Sequence, residues 1–126
     1  MSVVLDASAV LAFLHNERGG ENVSSALEGG CISAVNWSEV VQKSVQRQVD
    51  VEGMWQDFMD VGMRIEPFTV QQAEYAARIW LLTRQQGLSM ADRACLALAI
   101  DKTLPVLTAD RAWTTLDLGL EIGLIR

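Results

Sequence analysis

Short apolar runs alternate along this chain with longer stretches in which apolar positions recur every three or four residues, and the alternation sets the expected order of elements. Val3 to Leu5 reads as a first strand, and the alanine-rich run from Ala7 to about Leu14 as the helix that follows. Gly19-Gly20 breaks the chain before a short helix from Glu21 to Glu28, and Gly29-Gly30 leads into a second strand, Cys31 to Ser33. From about Val35 to Val49 the spacing is helical, and a further helix from Val51 to Val61 carries Met54, Trp55, Phe58 and Met59 on its apolar side. These two are expected to form a hairpin. Arg64 to Phe68 reads as a third strand at a sheet edge, because Pro67 lacks the N–H that a central strand needs. Thr69 caps a long helix to about Gln86, Gly87 stops it, and Ser89 caps the next, through Ala91 to Lys102. Val106 to Thr108 is a fourth strand, Arg111 to Leu116 a short helix, and Glu121 to Ile125 a last strand.

Short strands separated by helices imply a mainly parallel sheet with right-handed crossovers and helices on both faces. The expected architecture is therefore an α/β fold, a three-layer α/β/α sandwich. Strand ends then gather along one rim. Asp6 and Asp110, each just past a strand, come together there if the first and fourth strands are neighbours.

Composition narrows the picture. With 126 residues, the chain fits a single domain spanning 1–126. Hydrophobic residues make up 50% and mean hydropathy is +0.18, enough apolar surface to expect a partner. No apolar run approaches the roughly 18 residues of a membrane helix, and Met1-Ser2 leads straight into the first strand, so a cytoplasmic protein without a membrane role is expected. Cys31 and Cys95 lie far apart among small apolar neighbours and read as core thiols. The net charge of −6 has the wrong sign for holding nucleic acid by bulk attraction, so a polyanion must be drawn in locally, by bound cations or a basic cluster.

Four acids stand at element junctions: Asp6 after Val3-Val4-Leu5, Glu39 in Asn36-Trp37-Ser38-Glu39, Asp92 in Ser89-Met90-Ala91-Asp92, and Asp110 after Val106-Leu107-Thr108-Ala109. Taken singly, each is explained by helix capping. Asp6 and Asp110 suit N-cap positions, and the pairs Ser89/Asp92 and Asn36/Glu39 have capping-box spacing. Together they say more, because capping accepts Ser, Thr or Asn as readily and does not require a carboxylate each time. Carboxylates converging on one rim repel one another unless a cation resides there. Oxygen donors of this kind suit Mg2+ or Mn2+, and no histidine or cysteine group points to zinc. His15, the single histidine, ends the first helix and reads as a surface or capping residue.

At this point the chain resembles the PIN-domain ribonucleases and, within them, the VapC-type toxins of bacterial toxin–antitoxin modules. The resemblance is borne by Val4-Leu5-Asp6-Ala7-Ser8-Ala9, by Ser33-Ala34-Val35-Asn36 with Glu39-Val40, by Leu88-Ser89-Met90-Ala91-Asp92-Arg93 with Leu96-Ala97-Leu98-Ala99, and by Val106-Leu107-Thr108-Ala109-Asp110-Arg111-Ala112-Trp113. It implies a PIN-like fold and a Mg2+ or Mn2+ site formed by Asp6, Glu39, Asp92 and Asp110. Asp6 and Asp92 are the firmest of these, and Glu39 acts directly or through water. The implied reaction is hydrolysis of RNA phosphodiester bonds by metal-activated water, leaving a 5′-phosphate and a 3′-hydroxyl. The implied partners are an RNA substrate and an antitoxin that masks the acidic pocket with an arginine or lysine, in a homodimer or a toxin–antitoxin hetero-oligomer.

Further residues acquire roles around that site. Ser8 and Thr108 stand two residues from Asp6 and Asp110, placed to orient a ligand or to make ordinary backbone hydrogen bonds. Lys43 and Arg47 follow Glu39 at four and eight residues and are candidate phosphate contacts. Arg93 and Arg111, next to proposed ligands, are candidates for the same role or for salt bridges to the acids. Trp37, Trp55, Trp80 and Trp113 read as core or interface residues rather than base-stacking platforms. The Val51 to Val61 helix is a candidate groove for the antitoxin or a dimer face. Two rivals remain: a non-catalytic PIN-like binding module, and a haloacid-dehalogenase-like phosphatase, which needs a second acid where this chain has Ser8.

Overall fold

In the computed structural model, which describes residues 2–126, five parallel strands form one sheet in the order β3-β2-β1-β4-β5. They are β1 (Val4–Leu5), β2 (Cys31–Ser33), β3 (Arg64–Glu66), β4 (Val106–Thr108) and β5 (Ile122–Leu124). Met1, read from the sequence as leading into the first strand, lies outside the described residues. Val4 pairs with Cys31 on one side and Val106 on the other, while Leu5 pairs with Leu107, so the expected neighbourhood of the first and fourth strands is present.

Side chains alternate across the sheet, and each set enters a separate core. Val4, Cys31 and Val106 pack with Cys95, Leu96, Leu98 and Trp113 on one face. Leu5 and Ile32 pack with Val10, Val40, Met54 and Phe58 on the other. Each fully buried aliphatic side chain of this kind contributes about 2 kcal/mol. The helices follow: α1 (Ala7–Leu14), α2 (Ser24–Leu27), α3 (Ala34–Gln46), α4 (Met54–Asp60), α5 (Val70–Arg78), α6 (Trp80–Thr83) and α7 (Met90–Lys102). Because α7 is covered by α5 and α3 and lies on β1 and β2, its run Ala94–Ala99 is wholly buried, which explains its small residues.

Several expected elements are shorter or broken. The long helix from Thr69 to Gln86 is instead α5, α6 and a 3-10 turn over Arg84–Gln86. Within it Thr83 donates its hydroxyl back to the Ile79 carbonyl at 2.9 Å, a bond of the kind that competes with the helical ladder. The Glu21–Glu28 helix is a 3-10 turn over Gly20–Asn22 followed by the single turn of α2. β3 ends at Glu66, before Pro67, and does lie at a sheet edge. Instead of forming a helix hairpin with α4, α3 packs on α1 and α7, and Trp37 of α3 meets Phe58 of α4 edge-on at 5.6 Å. On α4 only Met54 and Phe58 are buried, while Trp55 and Met59 are 60% and 47% exposed. Among the described residues, no helix is long and apolar enough to cross a membrane.

Candidate active site

The chain leaves β1 toward β2 on one side and reaches β4 on the other, which opens a crevice at the C-terminal strand ends where the connections diverge. Asp6 stands at its base. It occupies the N-cap position of α1 with extended backbone, yet its side chain makes no capping bond. Instead Asp6 Oδ2 accepts from Ser8 Oγ at 2.6 Å and from Thr108 Oγ1 at 2.9 Å. Each hydroxyl in turn accepts a backbone N–H, Ser8 from Ala109 at 2.9 Å and Thr108 from Asp110 at 3.0 Å. The ordinary backbone hydrogen bonds weighed for these hydroxyls are therefore present, holding the chain just after β4, and the same hydroxyls fix the Asp6 carboxylate.

At 4% exposure, the Asp6 carboxyl is pushed up from 3.8 to about 6. Burial is the main cause; the two hydroxyls oppose it, and the charges of Asp92 and Glu39 add to it. Asp92 lies in the first turn of α7 inside a complete capping box, accepting from the Ser89 N–H at 3.0 Å while its own N–H donates to Ser89 Oγ at 3.1 Å. Asp110 caps the 3-10 turn Arg111–Thr115 by accepting from the Ala112 N–H at 3.0 Å.

Glu39 differs from the sequence reading. The N-cap of α3 is Ser33, because β2 runs into the helix without a loop, so Asn36 and Glu39 are both helical and form no capping box. Asn36 is buried, and its Nδ2 donates to Glu39 Oε1 at 3.3 Å and to the Ala91 carbonyl at 3.0 Å, tying α3 to the start of α7. Burial pushes the Glu39 carboxyl up; the Asn36 bond opposes this, Asp92 adds to it, and Lys43 opposes it.

All four acids line one cavity of about 490 Å3, together with Ser8, Lys43 and Arg47. Among the described residues no three His, Cys, Asp or Glu side chains are gathered tightly enough to enclose a metal ion. The donors suit a hard cation nonetheless, being oxygen only, and the charges acting on Asp6 are those of two carboxylates with no cation among them.

The remaining candidates divide. Arg93 turns from the cavity and donates from Nη1 to the Ala76 carbonyl at 2.7 Å, joining α7 to α5. Arg111 is exposed and outside the cavity lining, and among the described residues neither arginine forms the salt bridge weighed for it. Cys31 and Cys95 are free and buried, as expected. Trp113 is core, Trp37 packs half-buried on Phe58, and Trp55 and Trp80 are exposed, outside the core and outside the cavity. His15 follows α1 as its C-cap and also lines the cavity, 3.2 Å from Ser44 Oγ through Nε2. Sequence reasoning missed Glu17 and Arg126, which reach the cavity as well. Only the pairing of β5 with β4 brings the chain end there, and no local pattern announces it.

Fold and site together define a parallel α/β protein with an acidic cavity at its topological switch point. The chain belongs to the PIN-domain family, whose model matches residues 3–117. By sequence, no curated protein matches it significantly. Among solved structures it is similar to DNA-bound VapBC from Salmonella typhimurium (TM-score 0.74, 15% identity, covering 100% of this chain and 99% of that one). It is also similar to Mycobacterium tuberculosis VapC20, a Sarcin-Ricin loop cleaving toxin (TM-score 0.71, 15% identity, covering 89% and 92%). A third similar structure is FitAcB from Neisseria gonorrhoeae (TM-score 0.68, 22% identity, covering 98% and 96%).

Proposed function

We propose that this chain is a Mg2+- or Mn2+-dependent endoribonuclease and the toxin of a toxin–antitoxin pair. The observation that carries the reading is the convergence of Asp6, Glu39, Asp92 and Asp110 on one cavity of a PIN-domain protein. Asp6 and Asp92 would hold the cation, with Asp110 beside them and Glu39 acting directly or through water. A divalent cation bound there supplies Lewis-acid neutralisation of the phosphodiester and eases deprotonation of water. The chain's own part is preorganisation: Ser8 and Thr108 aim Asp6, Asn36 aims Glu39, and the Ser89 box aims Asp92 before RNA arrives. Lys43 and Arg47 offer donors to backbone phosphates at the same cavity.

The toxin assignment is supported by likeness to toxin–antitoxin complexes and by apolar surface beside the cavity helices. Phe13, Leu14, Met54, Phe58 and Val61 line a groove of about 200 Å3 between α1 and α4, suited to an apolar segment of an antitoxin. A haloacid-dehalogenase-like reaction has less support, because Ser8 stands where the second acid is needed and is committed to Asp6.

The test is cleavage of mixed cellular RNA by purified, partner-free protein with Mg2+ or Mn2+, against EDTA and an Asp92→Asn variant, with the cut ends mapped. Metal-dependent cuts bearing 5′-phosphates, reduced about 100-fold or more in the variant, are expected. Absence of cleavage by folded, cation-loaded protein would leave a PIN-like binding module.

A further inference from the structure

The cavity contains a basic group that the carboxylates do not explain. Arg47 Nη1 lies 3.4 Å from Glu17 Oε2 and Arg126 Nη1 lies 3.7 Å from Glu17 Oε1, so one carboxylate holds two guanidinium groups side by side. All three residues line the cavity that holds Asp6. Arg126 is built into place: its Nη1 donates to the Arg18 carbonyl at 2.8 Å, the buried Ile125 donates its N–H to the Thr108 carbonyl at 3.0 Å, and Asn22 Nδ2 donates to the Ile125 carbonyl at 2.9 Å.

Two glycines make that placement possible. A Cβ on Gly19, which has φ +88°, would lie 2.5 Å from the Ile125 carbonyl oxygen, and one on Gly20 would lie 2.4 Å from that of Ala12. The Gly19-Gly20 turn is thus a saddle on which residues 125–126 rest against the end of α1. Both guanidinium groups stay accessible, Arg47 at 52% and Arg126 at 33%, and ion pairs this exposed contribute little. Exchanging Glu17 for a phosphate therefore forfeits little. Paired guanidinium forks match the geometry of phosphate oxygens better than a lone ammonium does.

We infer that Arg47 and Arg126 form a clamp for a non-scissile backbone phosphate of the RNA strand, with Glu17 holding the clamp in position until that phosphate displaces it. The inference rests on the reading of the cavity as an RNA site. It assigns roles to Arg126 and Glu17, and it gives Arg47 a partner at the same carboxylate.

The test is fluorescence anisotropy of a labelled single-stranded oligoribonucleotide across a salt series, with Ca2+ in place of Mg2+ and again in EDTA. Arg47→Ala and Arg126→Ala should each weaken binding about fivefold and lower the slope of log affinity against log salt by about 0.7, and Arg126→Lys should restore part of it. Glu17→Gln should tighten binding. Melting curves show whether each variant is folded. Unchanged affinity and slope in folded Arg126→Ala, or no measurable RNA binding by the wild-type chain, would overturn the clamp. So would variants that affect only binding of a polyglutamate peptide, since the cluster would then serve an acidic polypeptide. Because binding is read without turnover, the two readings separate. RNA held through the arginines but never cut would support the clamp and sink the nuclease, whereas cutting with an unchanged KM after Arg126→Ala would sink the clamp alone.

Discussion

At Asp6, burial and like charge oppose the two hydroxyls that hold the carboxylate. The gap between 3.8 and about 6 corresponds to about 3 kcal/mol favouring the uncharged carboxyl in the fold. Because the folded value is raised, this contribution is complete below about pH 3.8 and is lost as pH rises through about 6. Asp6→Asn, whose amide oxygen can still accept from Ser8 and Thr108, should therefore melt higher than the wild type at pH 7 in EDTA, by up to about 3 kcal/mol, and nearly equally at pH 4. Melting curves that run parallel at both values would contradict this cause. Asp6, Asp92 and Asp110 were legible in the sequence because each follows a strand or caps or opens a helix, whereas Glu39 lies inside α3. The way Asp6 is held was not, since its partner Thr108 is 102 residues away. The place of Arg93 was not legible for a similar reason: adjacency to Asp92 along the chain says nothing about the α5 carbonyl to which it donates.

Strands and main helices were readable from periodicity, and their interruptions were not. The alternation of Val4 and Leu5 between two cores, and the Ser89 cap of α7, follow from local pattern. No local pattern announces the breaks of the Thr69–Gln86 segment at Ile79 and after Thr83, and the α3 cap depends on β2 meeting the helix without a loop. Gly19-Gly20 was legible as a break, but its role as a seat for residues 125–126 appears only once β5 is placed beside β4. That role makes a prediction about connections between elements. Gly19→Ala adds a side chain in a left-handed conformation against a backbone oxygen, which should cost at least about 2 kcal/mol. It should also displace Arg126, seen as loss of the Arg126 contribution to RNA affinity in the anisotropy assay. A variant as stable as the wild type would show that the turn is not the constraint described.

For the whole molecule, a net charge of −6 and an acidic cavity are at odds with a polyanionic substrate unless cations intervene. The topology supplies the place, since the 3-2-1-4-5 order makes β1 and β4 neighbours and the cavity at their ends gathers acids from across the chain. Four carboxylates that line one cavity, with no three of them gathered closely among the described residues, are an arrangement that a bound ion would draw together. The most direct test of the proposed centre is therefore calorimetric titration of Mn2+ at pH 7 into the wild-type chain, Asp6→Asn, Asp92→Asn and, as a control on the exposed surface, Asp117→Asn. The account predicts saturable binding by the wild type and the Asp117 variant, weakened about tenfold or more in the Asp6 and Asp92 variants. Equal affinity in all four proteins would contradict it.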